Sequence, residues 1–346
     1  MTLGRMAFLG SGETSLAGGR IFETLARLLP TPLRVAVLET PAGFELNSAT
    51  VAGRVADFLR TRLQNYSPRV DVVPARKRNT DFSPDNPDIL KPLLHANLIF
   101  MGPGSPTYAV RQLQGTLAWD IIRARHRQGA TLVFASAATI SVGAWVLPVY
   151  EIYKVGQDVH HLPGLDLFAD FGLPISFIPH WNNAEGGEDL DTSRCFVGME
   201  RFNQWCDLLP ADHTLVGLDE HTGLIVDFEK QECTVSGVSS VSLVRTCNPE
   251  IYASGKTFAF AELGQIQVPS PIEKGISSTA WELIDHAASQ AEASTAPSGE
   301  VLSLLDARQQ ARASKNWAES DRLRAELESH GWLVKDTPDG SVLTKK

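Results

Sequence analysis

Two short stretches of this sequence pair the residue types that acyl transfer needs. The first is Leu132-Val133-Phe134-Ala135-Ser136-Ala137-Ala138-Thr139-Ile140-Ser141, an apolar run that passes directly into small residues and then a helical pattern. A serine on a strand-to-helix turn at the carboxyl end of a sheet strand presents its hydroxyl to the outside, so Ser136 is the candidate nucleophile. As a bare pattern, the same serine also suits a helix N-cap. The second stretch is Ile178-Pro179-His180-Trp181-Asn182-Asn183-Ala184-Glu185-Gly186-Gly187. A histidine that ends an apolar run and opens a polar, glycine-rich loop can serve as general base, because its neutral form is available near pH 7. Such a base needs a carboxylate to fix its tautomer. Between nucleophile and base in chain order the choice is Glu151, with Asp158, Asp166 and Asp170 as alternatives.

An oxyanion must also be held. Phe100-Met101-Gly102-Pro103-Gly104-Ser105-Pro106-Thr107-Tyr108 is a glycine-rich turn after another buried run. Pro103 has no N–H, so Gly104 is the expected donor beside the amide of Ala137. Read plainly, it is an ordinary strand-to-helix loop. Neither the Walker spacing nor G-x-G-x-x-G occurs in it, which argues against a phosphate cradle. Gly10-Ser11-Gly12-Glu13-Thr14 is a similar loop that could line the same crevice. The pair His160-His161 falls in a loop-like stretch and is read as surface.

These residues need a scaffold of strands that end together. Over the first 150 residues, short β-branched or aromatic runs at 5–9, 34–38, 70–74, 96–101 and 131–134 alternate with amphipathic helical patterns, for instance at 19–29 and 47–66. That alternation predicts an α/β fold: a mostly parallel sheet flanked by helices. Further runs at 214–218, 222–227, 232–235 and 240–244 alternate with turn residues and predict a β-rich edge that extends the same sheet.

Composition narrows the function classes. Of 346 residues, 43% are hydrophobic and 21% charged, as in a globular protein with a sizeable core. The net charge of −9 has the wrong sign for a chain that wraps nucleic acid or coats an anionic membrane. No stretch approaches a membrane span or a signal segment, so a cytoplasmic protein is expected. Cys195, Cys206, Cys233 and Cys247 contain no C-x-x-C pair and are read as small apolar residues, without metal or redox chemistry.

Near residue 287 the composition shifts. Residues 287–299 are small and polar and are read as a flexible linker between a domain at 1–286 and a module at 300–346. The module repeats apolar residues at helical spacing with a break near Ser314-Lys315-Asn316, which predicts a small helical hairpin.

The order of the motifs resembles the serine peptidase family of aspartyl dipeptidase (peptidase E) and cyanophycinase, whose fold is similar to the class I glutamine amidotransferases. The matching pieces, over roughly residues 5 to 245, are the Gly10, Gly102 and Ser136 stretches, Pro179-His180-Trp181-Asn182-Asn183-Ala184, and Val216-Gly217-Leu218-Asp219-Glu220-His221-Thr222-Gly223-Leu224. The resemblance implies Ser136 as nucleophile, His180 as base, and Gly104 and Ala137 as oxyanion donors. It also implies, as third member in the dipeptidase branch, the acid fifteen residues past the serine, here Glu151. The family reads Gly-x-Ser-Ala-Gly-Ala at the elbow, whereas this chain has Phe134 and Ala138 at the two glycine positions.

The implied function is hydrolysis of a small peptide or isopeptide, an aspartyl dipeptide or cyanophycin-like substrate, through an acyl-enzyme, with no cofactor and no metal. Asn182, Asn183, Arg194 and Arg201 are the candidate substrate-binding residues. Homodimers are common in the family. The competing expectation is a non-catalytic binding or regulatory protein of the same fold.

The tail carries a second resemblance. Ala311-Arg312-Ala313-Ser314-Lys315-Asn316-Trp317-Ala318-Glu319-Ser320-Asp321-Arg322-Leu323-Arg324-Ala325-Glu326-Leu327, then Gly331-Trp332 and Asp336-Thr337-Pro338-Asp339-Gly340, resembles the C-terminal helical segment of bacterial cysteinyl-tRNA synthetases. The synthetase's His-Ile-Gly-His and Lys-Met-Ser-Lys-Ser loops are absent, so aminoacylation is not expected. Eight Lys+Arg against seven Asp+Glu over 301–346 give no electrostatic footprint for nucleic acid, and a tRNA or protein contact stays open.

Overall fold

Short apolar runs form the centre of the chain. The computed structural model describes residues 3–245, 249–267, 275–295, 297–337 and 340–345. Strands β1 (Met6–Leu9), β2 (Arg34–Leu38), β3 (Arg69–Val73), β4 (Leu98–Met101) and β5 (Thr131–Ala135) fall on the five predicted runs. They pair in parallel in the order β1-β5-β4-β2-β3. Every residue of β1, β4 and β5 is buried, as expected of a parallel sheet covered on both faces.

Helices α1 (Leu16–Ala26), α2 (Ser48–Arg62), α3 (Pro87–His95), α4 (Pro106–Leu113) and α5 (Leu117–Arg127) link these strands. The two faces follow the strand alternation. Ile21, Phe22 and Leu25 of α1 and Ala52, Val55 and Leu59 of α2 pack on Ala7, Leu9, Val35 and Val37. On the other face Leu90, Leu93, Ile121 and Ile122 pack with Met6, Phe8, Ala36, Leu38 and Phe134.

Beyond β5 the chain forms α6 (Ala137–Ser141), β6 (Trp145–Val146), α7 (Val149–Tyr153), β7 (Leu162–Pro163), β8 (Ile175–Ile178), α8 (Gly198–Asp207), β9 (Thr214–Leu218) and β10 (Thr222–Asp227). Strands β11 (Glu232–Gly237), β12 (Ser240–Val244), β13 (Glu250–Ala253) and β14 (Thr257–Ala259) follow. The expectation that the runs at 214–218, 222–227, 232–235 and 240–244 extend the first sheet holds for two of the four, 222–227 and 232–235. β10 pairs antiparallel with β1, and β11 and β14 continue that edge. β8, β9, β12 and β13 instead form a separate four-stranded sheet. The division falls at residues 219–221, where the chain leaves β9, held between β8 and β12, and enters β10 against β1. A hydrophobicity pattern records strands but not which sheet receives them.

The chain divides into two compact units, Met1–Ile284 and Asp285–Lys346. Residues 287–295, read from composition as flexible linker, are the second half of helix α9 (Ser278–Thr295). Alanine at 287, 288, 291 and 293 explains the difference: it lacks surface to bury, yet it is the strongest helix former. In the second unit the predicted helices are α10 (Gly299–Ala313) and α11 (Trp317–Ser329), and a hairpin of β15 (Trp332–Thr337) and β16 (Gly340–Lys345) adds to them. Its core is Val301, Leu327, Trp332 and Val334, with Leu304, Leu305 and Leu343 against them. Arg308, 2% exposed, forms a two-pronged ion pair with Asp336 at 2.9 Å on each oxygen.

No helix among the described residues is long and apolar enough to cross a membrane. Cys195 and Cys233 are buried and Cys206 is half-buried; Cys247 lies outside the described residues. Burial pushes the Cys195 and Cys206 thiols up to about 12, so both stay protonated at neutral pH.

Candidate functional site

Three strand ends converge on Ser136. The parallel register sets Leu9 of β1 beside Ala135 of β5, so the residues that follow, Gly10 and Ser136, lie side by side. The Ser136 N–H donates to the Leu9 carbonyl at 3.2 Å, and the His180 N–H donates to the Gly10 carbonyl at 3.3 Å. The end of β8 is thereby tied to the end of β1, although the two strands belong to different sheets.

Ser136 sits at φ 52°, ψ −118°, a backbone conformation a non-glycine residue adopts only when its surroundings hold it there. The elbow forms without the two glycines that the resemblance leads one to expect. Phe134 turns into the core, stacked on Phe8 with ring centres 5.6 Å apart, and the fully buried Ala138 donates its N–H to Gly102 at 3.3 Å. The large side chain points away from the turn and does not crowd it.

The hydrogen-bonded chain is Ser136–His180–Glu220. Ser136 Oγ lies 3.0 Å from His180 Nε2, and His180 Nδ1 lies 2.9 Å from Glu220 Oε1. Glu220 Oε1 also accepts from Asn183 Nδ2 at 3.1 Å, and the Glu220 N–H donates to Asn182 Oδ1 at 2.8 Å. Burial of Glu220 opposes its ionisation, but hydrogen bonds from His180 and Asn183 and the nearby imidazoles of His180 and His221 outweigh it. The carboxyl is held below the usual range and is ionised at neutral pH.

Glu220 replaces the expected Glu151. Glu151, on the short α7, accepts from Thr107 Oγ1 at 2.6 Å, at the start of α4. The alternatives are also elsewhere: Asp170 pairs with Arg123 and Arg127, Asp158 is exposed, and Asp166 is an exposed loop residue at φ 47°. The expectation failed because it required the acid to lie between serine and histidine in chain order. The parallel pairing of β8 with β9 sets Ile178 beside Gly217, so the residues past each strand, His180 on one and Asp219-Glu220 on the other, meet. The acidic turn between two apolar runs was visible in the sequence; its register was not.

The loop at 102–105, expected to supply an oxyanion donor, is docked on the elbow through the Ala138–Gly102 bond. Gly104 has φ +145°, and a Cβ there would fall 1.9 Å from the Pro41 carbonyl oxygen, so only glycine fits. The N–H groups of Gly104 and Ala137 donate to no acceptor among the described residues. Ser105 then caps α4, accepting from Tyr108 N, with Pro106 at the first helical position.

The four candidate substrate residues part company. Asn182 and Asn183 serve Glu220, as above. Arg201 is exposed on α8. Arg194 stacks over Trp181 with its guanidinium carbon 3.9 Å from the ring centre, and lines a cavity that Ser136, His180 and Glu220 do not line. His161 packs edge-on against Trp145 at 4.5 Å and is not a plain surface residue. An ionised carboxylate, an imidazole between it and a serine on a strained turn, and two open N–H groups at one end of a sheet are the parts that acyl transfer uses.

Comparison with known proteins divides along the two units. Residues 296–341 match the cysteinyl-tRNA ligase anticodon binding domain. The chain is 51% identical over 43 residues to cysteine–tRNA ligase 1 of Burkholderia lata, 12% of this chain and 9% of that protein. It is 52% identical over 46 residues to the cysteine–tRNA ligase of Caldicellulosiruptor saccharolyticus, 13% and 10% respectively. The chain thus spans about a tenth of the length of the curated relatives it matches. A solved structure of a peptidase from an acI-B1 actinobacterium superposes with a TM-score of 0.59 at 20% identity, over 75% of this chain and 98% of that one. The larger unit therefore has a peptidase-type fold, and the tail is similar to the ligase domain, as the two resemblances implied.

Proposed function

We propose that the chain is a serine hydrolase that cleaves a small peptide or isopeptide through an acyl-enzyme. The observation that carries this reading is the Ser136–His180–Glu220 chain of hydrogen bonds on a strained turn. Ser136 Oγ attacks the carbonyl carbon while its proton passes to His180 Nε2. Glu220 holds the Nδ1 proton and stabilises the imidazolium. The carbonyl oxygen, now an oxyanion, is received by the N–H groups of Gly104 and Ala137. The C–N bond then breaks, His180 returns its proton to the leaving amine, and a water activated by His180 releases the acid from Ser136. Aspartyl and isoaspartyl dipeptides are the substrates to screen first.

Intact-mass labelling with a fluorophosphonate tests the reading. The expected result is one adduct on the wild-type chain, none on Ser136→Ala, and strongly slowed labelling of His180→Ala. Absence of any adduct on folded protein would favour the non-catalytic reading.

The tail supports a second, separate function: contact with tRNA. Besides the match to the anticodon binding domain, Trp317 is 56% exposed with the Arg312 guanidinium carbon 5.7 Å from its ring centre, a pair on which an unstacked base could lie. Filter binding of the full chain to bulk tRNA, compared with Trp317→Ala, tests it; equal retention of both proteins would remove the proposal.

A further inference from the structure

A cavity of about 600 Å³ opens beside α8, lined by side chains from the His180 loop, from the turn before β9 and from β9 itself. Its walls are mostly apolar, with Arg194, Asn203, Asp207, His213 and Arg245 as the polar members. Trp181 meets Phe202 edge-on with ring centres 5.2 Å apart, and Leu209 and Leu215 complete the surface. Trp181 is pressed onto Gly217, where a Cβ would come within 2.4 Å of the indole, so this wall is fixed.

Two polar groups on the walls lack what burial requires. His213 is 5% exposed, and neither ring nitrogen has a hydrogen-bond partner. Burial pushes its pKa down to about 4, so the ring is neutral at pH 7 and offers one donor and one acceptor. Arg194 is half-buried and forms no ion pair among the described residues. One Nη donates to the Trp181 carbonyl at 2.8 Å, while its Nε is sealed without a partner. A buried neutral imidazole without partners, and a half-buried cation on which the Asp191 and Asp219 carboxylates act without a direct ion pair, each cost free energy that a matching ligand would recover.

We propose that this cavity is a second binding site, for a small carboxylate with an aromatic or branched apolar body. The carboxylate pairs with Arg194 through the Nη that the Trp181 carbonyl does not engage, and the apolar body fills the space between Phe202, Leu209 and Leu215. His213, whose ring nitrogens are sealed without a partner, supplies the orienting hydrogen bond once its ring turns toward the ligand. The site is separate from the reacting serine and does not depend on its chemistry.

Calorimetric titration of the full chain with 3-phenylpropionate and with its uncharged amide tests the proposal. The acid is expected to bind at one site about tenfold more tightly than the amide. Arg194→Met should abolish that preference, and His213→Phe should weaken both probes several-fold. Circular dichroism melting would verify that each variant folds, and a variant that fails to fold leaves the other to decide. Ser136→Ala should bind as the wild type does. Equal affinity for acid and amide, or no binding to folded wild type, would overturn the site, as would binding that is lost in Ser136→Ala.

Discussion

Glu220 Oε1 accepts the Nδ1 proton of His180 at 2.9 Å across 40 positions of sequence, while Glu151, nearer to His180 along the chain, binds Thr107. The two carboxylates therefore make opposite predictions. Glu220→Gln removes the charge that stabilises the imidazolium and permits the wrong tautomer, so kcat/KM should fall by about 10²–10⁴. Glu151→Gln should change it by less than about fivefold, roughly 1 kcal/mol. Steady-state kinetics on a dipeptide, or fluorophosphonate labelling rates, measure both. A larger loss in the Glu151 variant would reverse the assignment.

Asn183 touches the same carboxylate oxygen as His180, at 3.1 Å, and is itself buried. Its amide helps to keep Glu220 ionised and aimed. A hydrogen bond to a charged group contributes about 1.5–3 kcal/mol, so Asn183→Leu should slow turnover about tenfold or more. Because the side chain acts through Glu220, the double variant Glu220→Gln, Asn183→Leu should be little worse than Glu220→Gln alone. Additive losses in that cycle would show that Asn183 works on the substrate instead.

The legible and illegible parts of this chain have physical causes. The five parallel strands could be read because each is an apolar run, fully buried in β1, β4 and β5, with helical patterns between the runs. The approach of Ser136 to His180 could be read because each follows such a run, where a sheet delivers side chains to one edge. Glu220 could not, since its place depends on the β8–β9 register, which is set by pairing across sequence and not by local pattern. The helix at 287–295 was hidden for another reason. Small polar composition records how little surface a segment can bury, while helix propensity is a backbone property that alanine satisfies without burial.

Gly104 is the position where the backbone alone should decide the proposed activity. At φ +145°, with the Pro41 carbonyl oxygen 1.9 Å from where a Cβ would stand, Gly104→Ala forces the loop off the elbow. Loss of one oxyanion donor costs about 10²–10³ in kcat. The expected outcome is that loss in kcat with His180 and Ser136 intact, checked by acylation kinetics alongside a melting curve. Wild-type rates in the folded variant would remove Gly104 from the oxyanion site.

In the second unit, the Arg308–Asp336 pair joins α10 to the β15–β16 hairpin, beside a core of only a few large apolar side chains. Hydrogen bonds from Arg308 and Ser341 hold the Asp336 carboxyl far below the usual carboxylate range. The folded pKa is depressed, so the pair's stabilisation is complete above the unfolded value of about 3.9 and is lost as pH falls below it. Arg308→Met should weaken the unit by about 2–3 kcal/mol, at the low end for a buried pair because Asp336 keeps contact with water. Amide exchange in α10 should then quicken by about 30- to 100-fold near pH 6, with no change in the strands of the first unit. The difference between wild type and variant should shrink toward pH 3, where Asp336 of the unfolded chain is protonated while that of the folded chain is still ionised. A difference that persists unchanged at pH 3 would mean that Arg308 acts by packing and not by charge.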